Sequence, residues 1–373
     1  MTERLKTPAP VPGTSDRREF LTTVAAATVG AVIATQADVL TQAPAGRPRR
    51  VDFHHHYQSP GLTKYLNSYG IRVSQYDREP LTRKEWTPAI AIEGLDKYGI
   101  DLAYTSAATY FTRMAQLHKN GGSIYTGEIA RTLARETNDY GARVCADSKG
   151  RFRLFAVLPQ HDVEGSLKEI DYAINTLKAP GFYMATSVGN SYLGDKKFDP
   201  VLEELNRRRA VVATHPNEAD WALDLVDGVT AATVWYGNDT TMAIMSLLNH
   251  DAPKRYPNIR WIMSHAGGTL PYMIQRVVGE PVAPKLNGTP KPGERLYYLR
   301  NNFYFDTAQA ANAAAMPALK KVVGVSQILF GTDYPWSTID VDVEGMTDSA
   351  AFTAAELTTI YRDNALRLLP LQT

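Results

Sequence analysis

The chain has almost no cysteine: Cys145 is the single one among 373 residues. One thiol cannot staple a domain internally, and no histidine-containing motif lies near it, so it reads as a small buried hydrophobe rather than a nucleophile. An excess of either charge is also lacking, with 40 Lys and Arg against 39 Asp and Glu. That balance leaves no net field to draw nucleic acid or an anionic membrane. No apolar run reaches the roughly 18 residues that a spanning helix needs, so no membrane span is expected. Histidine is sparse, at 8 residues, yet three are consecutive in VDFHHHY at 51–57. What is abundant is core material: 44% of the residues are apolar. A single barrel of alternating strands and helices can use a chain of this length.

The first 45 residues differ from the rest. SDRREFLTTVAAATVGAVIATQA places Arg17 and Arg18 just before Phe20 and Leu21, followed by a small, mostly apolar run. This resembles a twin-arginine export signal, with cleavage candidates ending at Ala37 and Ala45. The expectation is a signal and linker over 1–45, then one catalytic domain over 46–373, exported to the periplasm or beyond. If the signal is not used, the chain stays in the cytoplasm.

From residue 50 onward short β-rich runs recur: RRVDFHH, IDLAYTSAA, RFRLFAVLP, GFYMATS, AVVATHP, IRWIMSHAG, NFYFDTA and QILFGTDYP. Gly, Pro or charged residues bound each one, as strands require. Helical patterns separate most of them. VEGSLKEIDYAINTL sets Leu167, Ile170, Ala173, Ile174 and Leu177 on one stripe. FDPVLEELNRRR opens with Asp199 as N-cap and Pro200 at the first helical position. AAELTTIYRDNALRLL closes the chain as a helix. Eight strands alternating with helices predict an α/β fold, a (β/α)8 TIM barrel. Long loops are expected over 57–90 and 216–258, and a Pro- and Gly-rich excursion over 279–296.

In such a barrel the C-terminal strand ends form the mouth where active sites sit. His54 and His56 end the first strand, His215 the fifth, His265 the sixth and Asp333 the eighth. Side chains alternate along a strand, so His54 and His56 face inward together and His55 faces the helix layer. Singly, each residue has an ordinary structural explanation: a satisfied core pair, a strand end, a turn, a cap. Five at one end of one barrel point to a metal site. Imidazoles with a carboxylate suit Zn²⁺, or a similar first-row divalent ion such as Mn²⁺. GFYMATS offers no Lys, Glu, Asp or Cys to bridge a second ion, so one ion is expected. His118, His161 and His250 lack such partners and read as surface or structural residues.

Together VDFHHH, RFRLFAVLP, ATHP, SHAGGTLPY, FYFDTA, ILFGTDYPW and IYRDNALRLL resemble the amidohydrolase superfamily. Within it they resemble the branch of α-amino-β-carboxymuconate-semialdehyde decarboxylase and relatives acting on aromatic acids. YLGDKKFDPVLEELNRR leading into VVATHP is similar to members of the 6-methylsalicylate decarboxylase type. The resemblance implies that His54, His56 and His215 hold the ion, with Asp333 as fourth ligand or proton carrier. It implies that His265 is a general acid/base. It also implies that Arg276 reaches the site of a neighbouring copy in a homodimer and grips a substrate carboxylate. The segment THPNEADW, with Asn217 and Glu218 after His215, departs from the pattern and leaves the substrate open.

Two chemistries share these residues. One is non-oxidative decarboxylation of an aromatic or unsaturated acid with a neighbouring hydroxyl or amine, bound by the ion and protonated at the carbon that loses CO2. The other is hydrolysis of a lactone, ester or amide by water activated at the ion. Many hydrolases of the superfamily bridge two ions, and the missing bridging residue favours decarboxylation. Trp221, Trp235, Tyr236, Tyr334 and Trp336 could stack on a planar substrate, or simply fill the core. A binding protein with a vestigial site is the third reading, disfavoured because all five polar positions are intact.

Overall fold

The computed structural model describes residues 50–68, 86–107, 110, 127–217, 229 and 231–370. The expected signal over 1–45, together with His118, Glu218 and Trp221, lies outside the described residues. The strands of the main sheet are β1 (Arg50–His56), β2 (Ile100–Ser106), β3 (Phe152–Val157), β4 (Gly181–Ala185), β5 (Val211–His215), β6 (Arg260–Met263), β7 (Phe303–Asp306) and β8 (Ile328–Leu329). They pair in sequence order, every neighbour parallel. Hydrogen bonds close the ring: Phe53 N donates to Phe330 O at 2.9 Å and His56 N to Tyr334 O at 2.7 Å. The result is the (β/α)8 barrel. Strands β2 and β5 are buried along their whole length, as parallel strands covered on both faces must be.

Helices fill the connections, and several differ from expectation. The segment 216–258 is not a loop throughout: it contains the helix Ala231–Asn249 and a short turn of helix at Ala252–Arg255. Likewise 279–296 carries the short helix Val282–Asn287. Asp199 is not the N-cap of its helix. It is the first residue of the helix Asp199–Arg207, after Phe198, and its carboxylate accepts from Arg255 instead. In the helix Val163–Asn175, Asp162 caps the N-terminus by accepting from Gly165 N. The buried face there is rotated from the expected stripe to Ser166, Glu169, Ile170 and Ala173. Glu169 is tolerated inside because Arg135 (2.8 Å) and Asn138 (2.8 Å) hold its carboxylate. The closing helix runs from Ala354 to Leu368 with a wide π turn over Thr359–Asp363.

Candidate active site

Strand β1 delivers the first donors. Its register with β2 slips between Asp52 and His55, so two residues, Phe53 and His54, oppose the single Tyr104, an irregularity common beside active sites. His54 and His56 nonetheless turn to one side, their rings 4.9 Å apart. His55 turns elsewhere: its Nδ1 lies 3.2 Å from Asp52 Oδ2 and its ring 5.2 Å from Tyr334. Asp52 also accepts from His54 N and from the Thr332 hydroxyl, at 2.9 and 2.6 Å, so it ties β1 to the segment after β8. That segment brings in Asp333, four residues past the strand, whose Oδ1 is 2.9 Å from His56 Nε2 and 3.3 Å from His54 Nε2.

One donor atom from each of His54, His56, His215 and Asp333 lies within 4.8 Å of the others, and all four residues are buried. Their remaining nitrogens are engaged. His54 Nδ1 is 2.8 Å from Asp306 Oδ2, and His215 Nδ1 is 2.7 Å from Pro216 O. His56 Nδ1 faces Ser106 Oγ at 3.3 Å. Metal-binding imidazoles are typically fixed this way, by a carboxylate or carbonyl on the other nitrogen. The donor chemistry therefore fits a divalent first-row ion.

The electrostatics agree. Burial pushes His56 down to about 4, against the hydrogen bond of Asp333. Burial, then the neighbouring His56 and His54, hold His215 well below the usual imidazole value. Both keep a free lone pair at neutral pH. Burial also works against charge on His54, but Asp306 and Asp333 outweigh it and raise its pKa well above the ordinary value. Burial opposes the charge on Asp333 too, yet His54, the approach of His265 and the hydrogen bonds of His54 and His56 hold it well below the carboxylate range. Asp333 is an anion facing a site that favours positive charge.

His265 lies two residues beyond β6, in a turn where four successive residues have positive φ: His265 (53°), Ala266 (57°), Gly267 (75°) and Gly268 (66°). For the two non-glycines this costs of order 1–3 kcal/mol each, strain that persists only where the surroundings impose it. Its Nε2 is 3.6 Å from Asp333 Oδ2, buried and without a hydrogen-bond partner. The ring stands 4.9 Å from that of His54.

Three further residues at the site escape the sequence reading. Tyr183, on β4, is 2% exposed, and its hydroxyl is 3.1 Å from His54 Nε2. The signal for it is the register: Tyr183 and Ala185 pair with Ala213 and His215, so Tyr183 faces inward as His215 does. Gln309 donates its side-chain amide to Asp333 Oδ2 from an exposed position at the mouth. Asp306 ends β7 beneath His54.

The amidohydrolase family profile matches residues 51–371. The chain belongs to the amidohydrolase family. It is 30% identical over 328 residues to 6-methylsalicylic acid decarboxylase of Penicillium expansum, covering 86% of this chain and 96% of that one. It is 26% identical over 252 residues to 2-amino-3-carboxymuconate-6-semialdehyde decarboxylase of Dictyostelium discoideum, 67% of each chain. The solved structure of dihydroxybenzoic acid decarboxylase from Polaromonas sp. JS666, with bound manganese and the inhibitor 2-nitroresorcinol, shares the fold: TM-score 0.70 at 22% identity, covering 87% of this chain and 96% of that one.

In this amidohydrolase the other expected residues are placed as follows. Tyr236 presents an edge to His215 with centroids 6.0 Å apart, and Trp336 is half-buried just after Asp333, donating N–H to its carbonyl at 2.7 Å. Trp235 is half-buried, and Tyr334 is packed on His55. Arg276 is exposed on the short helix Ile274–Val278 and enters no ion pair among the described residues. His161 and His250 are exposed.

Proposed function

We propose that the chain is a metal-dependent, non-oxidative decarboxylase of an aromatic or unsaturated acid carrying a hydroxyl or amine ortho to its carboxyl group. The observation that carries this reading is the buried convergence of His54, His56, His215 and Asp333, with the unpartnered Nε2 of His265 beside it. The relatives support the reaction type, since 6-methylsalicylic acid decarboxylase and gamma-resorcylate decarboxylase are both among them. We assign the four converging residues as ligands of one ion, with Zn²⁺ first and Mn²⁺ next. When bound, such an ion supplies a Lewis acid that polarises the carboxylate and the ortho heteroatom.

The chain's own residues do the rest. Asp333 is assigned as ligand and anion, with His54 and the hydrogen bonds around it holding its carboxyl well below the ordinary range. His265 delivers a proton from Nε2 to the ring carbon bearing the carboxylate. The bond to the carboxyl carbon then breaks, its electron pair restores the ring, and CO2 leaves. His265, with 12% of its side chain exposed, regains its proton from solvent. Tyr236 and Trp336 flank the planar substrate. Arg276, exposed beside the fully exposed Tyr272, is proposed to reach the carboxylate in a second copy of the chain. A homodimer in sedimentation that is lost on replacing Tyr272 with Glu would support that contact. Export through the twin-arginine route is proposed for residues 1–45, and a fusion of that segment to a reporter, with Arg17 and Arg18 changed to Lys, tests it.

For the reaction itself, metal-loaded protein starting at Gly46 is incubated with ortho-hydroxy aromatic acids and separately with lactones and aryl amides. Release of CO2 with the matching loss of substrate mass is the expected result. Gain of water without CO2 would place the chain among the hydrolases and sink the proposal.

A further inference from the structure

Asp306, which ends β7 and is only 2% exposed, does more than fix the ring of His54. Each of its oxygens does a different task. Oδ2 lies 2.8 Å from His54 Nδ1. Oδ1 accepts from the backbone N–H of His265 at 2.9 Å and of Ala308 at 3.1 Å. The Ala308 bond fixes the carboxylate to its own strand end. The other two reach the two halves of the site. Accepting from His54 Nδ1 fixes the tautomer that leaves Nε2 free for an ion. Accepting from His265 N pins the first residue of the positive-φ turn, and with it the direction of the imidazole. Gly331 makes room for this arrangement, since a Cβ there would stand 2.8 Å from His54 Cβ and 3.1 Å from Asp306 Cβ.

We propose that Asp306 is a positioning residue that couples retention of the ion, through His54, to placement of the proton-transfer group, His265. The proposal rests on the decarboxylase reading only for the role of His265; the metal half stands apart from it. It distinguishes Asp306 from an ordinary buried carboxylate, because losing both oxygens must disturb both functions. An asparagine has the same shape but one accepting end. Facing the two backbone N–H groups, it keeps two bonds and turns its NH2 toward His54 Nδ1. That drives the proton to Nε2 and removes the ligand atom.

The test is Asp306→Asn and Asp306→Ala in the full barrel, with Zn²⁺ affinity read by competition with a chelator and kcat and KM read at saturating Zn²⁺. Asp306→Asn, which keeps the bond from His265 N, is expected to lower affinity about 10- to 100-fold with a smaller change in kcat at saturating Zn²⁺, whereas Asp306→Ala, which loses every bond, should lower both affinity and kcat with KM changing less. Because those variants could misfold, a second measurement uses the unaltered protein loaded with Cd²⁺. Histidine ¹⁵N and ¹H spectra should show His54 bound through Nε2, with a downfield, hydrogen-bonded proton on Nδ1. Three results would overturn the proposal: an Asp306→Asn protein with unchanged Zn²⁺ affinity, an Asp306→Ala protein that is merely less thermostable with unchanged kcat at saturating Zn²⁺, or Cd²⁺ bound to His54 Nδ1. If the unaltered protein releases CO2 from no acid, the decarboxylase reading fails instead, while the affinity and spectra still judge the link between Asp306 and the ion.

Discussion

His265 and its neighbours give the sharpest expectations at the scale of single residues. His265→Asn removes the proton-transfer nitrogen but none of the four converging donors. Its metal content, by elemental analysis, should match the unaltered protein, while turnover falls by about 100-fold or more. Gly331→Ala keeps every polar residue yet drives a methyl between His54 and Asp306. It should weaken Zn²⁺ binding in a chelator titration, and unchanged binding would mean the pair tolerates separation. Of these residues, the histidines and Asp333 were readable in the sequence because they stand in polar punctuation at strand ends. Asp306 and Tyr183 were not. Asp306 sits in FYFDTA, where one acidic residue after an apolar run resembles any strand terminus. Tyr183 sits in GFYMA, where an aromatic reads as core, and only the pairing with β5 shows that it shares the face of His215.

Among the elements, the helix Ala231–Asn249 organises the mouth. Its buried Asp239 accepts from Thr186 after β4, from the Tyr192 hydroxyl at 2.8 Å and from Asn217 N after β5 at 2.8 Å. Its Thr241 hydroxyl donates to Gly267 O at 3.1 Å and accepts from Thr269 N at 2.9 Å, in the turn that carries His265. Contact there is so close that a Cβ on Gly268 would be 1.8 Å from Gly237 O, at a φ of +66°. Gly268→Ala should therefore destabilise by about 2 kcal/mol or more in urea denaturation. This helix was invisible in the sequence because its apolar residues do not gather on one stripe, so periodicity gave no sign of it. The helix Asp199–Arg207, by contrast, was readable from its pattern, and it carries a pH dependence. Hydrogen bonds from Arg207, and less from Arg208, lower the Glu204 carboxyl from 4.5 to about 2 against burial. A carboxylate depressed in the folded state stabilises above its unfolded value and loses that contribution as pH falls toward 2. Arg207 is 64% exposed, so solvent screening limits the effect to about 0.5–1 kcal/mol. Glu204→Gln should show that deficit at pH 7 and none near pH 2 when urea midpoints are compared.

For the whole molecule, an ion held only by the folded barrel must stabilise it. At a free Zn²⁺ concentration 100 times Kd the gain is about 2.7 kcal/mol, so a chelator should lower the thermal midpoint and restored Zn²⁺ should recover it. An unchanged midpoint would mean that the cluster does not retain the ion. The eight-strand order was readable from recurring β-rich runs, but the manner of closure was not. Strand β8 is reduced to Ile328–Leu329, and the seam is completed by irregular chain through Phe330, Asp333 and Tyr334. Asp333 N donates to His54 O at 2.7 Å, so the bonds that shut the ring run through the residues that converge at its mouth. His56 and Asp333 stand 277 positions apart. During synthesis the histidines of β1 therefore leave the ribosome long before the carboxylate that completes their cluster exists. A nascent chain arrested anywhere short of Asp333 has nowhere complete to keep an ion, and metal capture belongs to the last moments of the protein's birth.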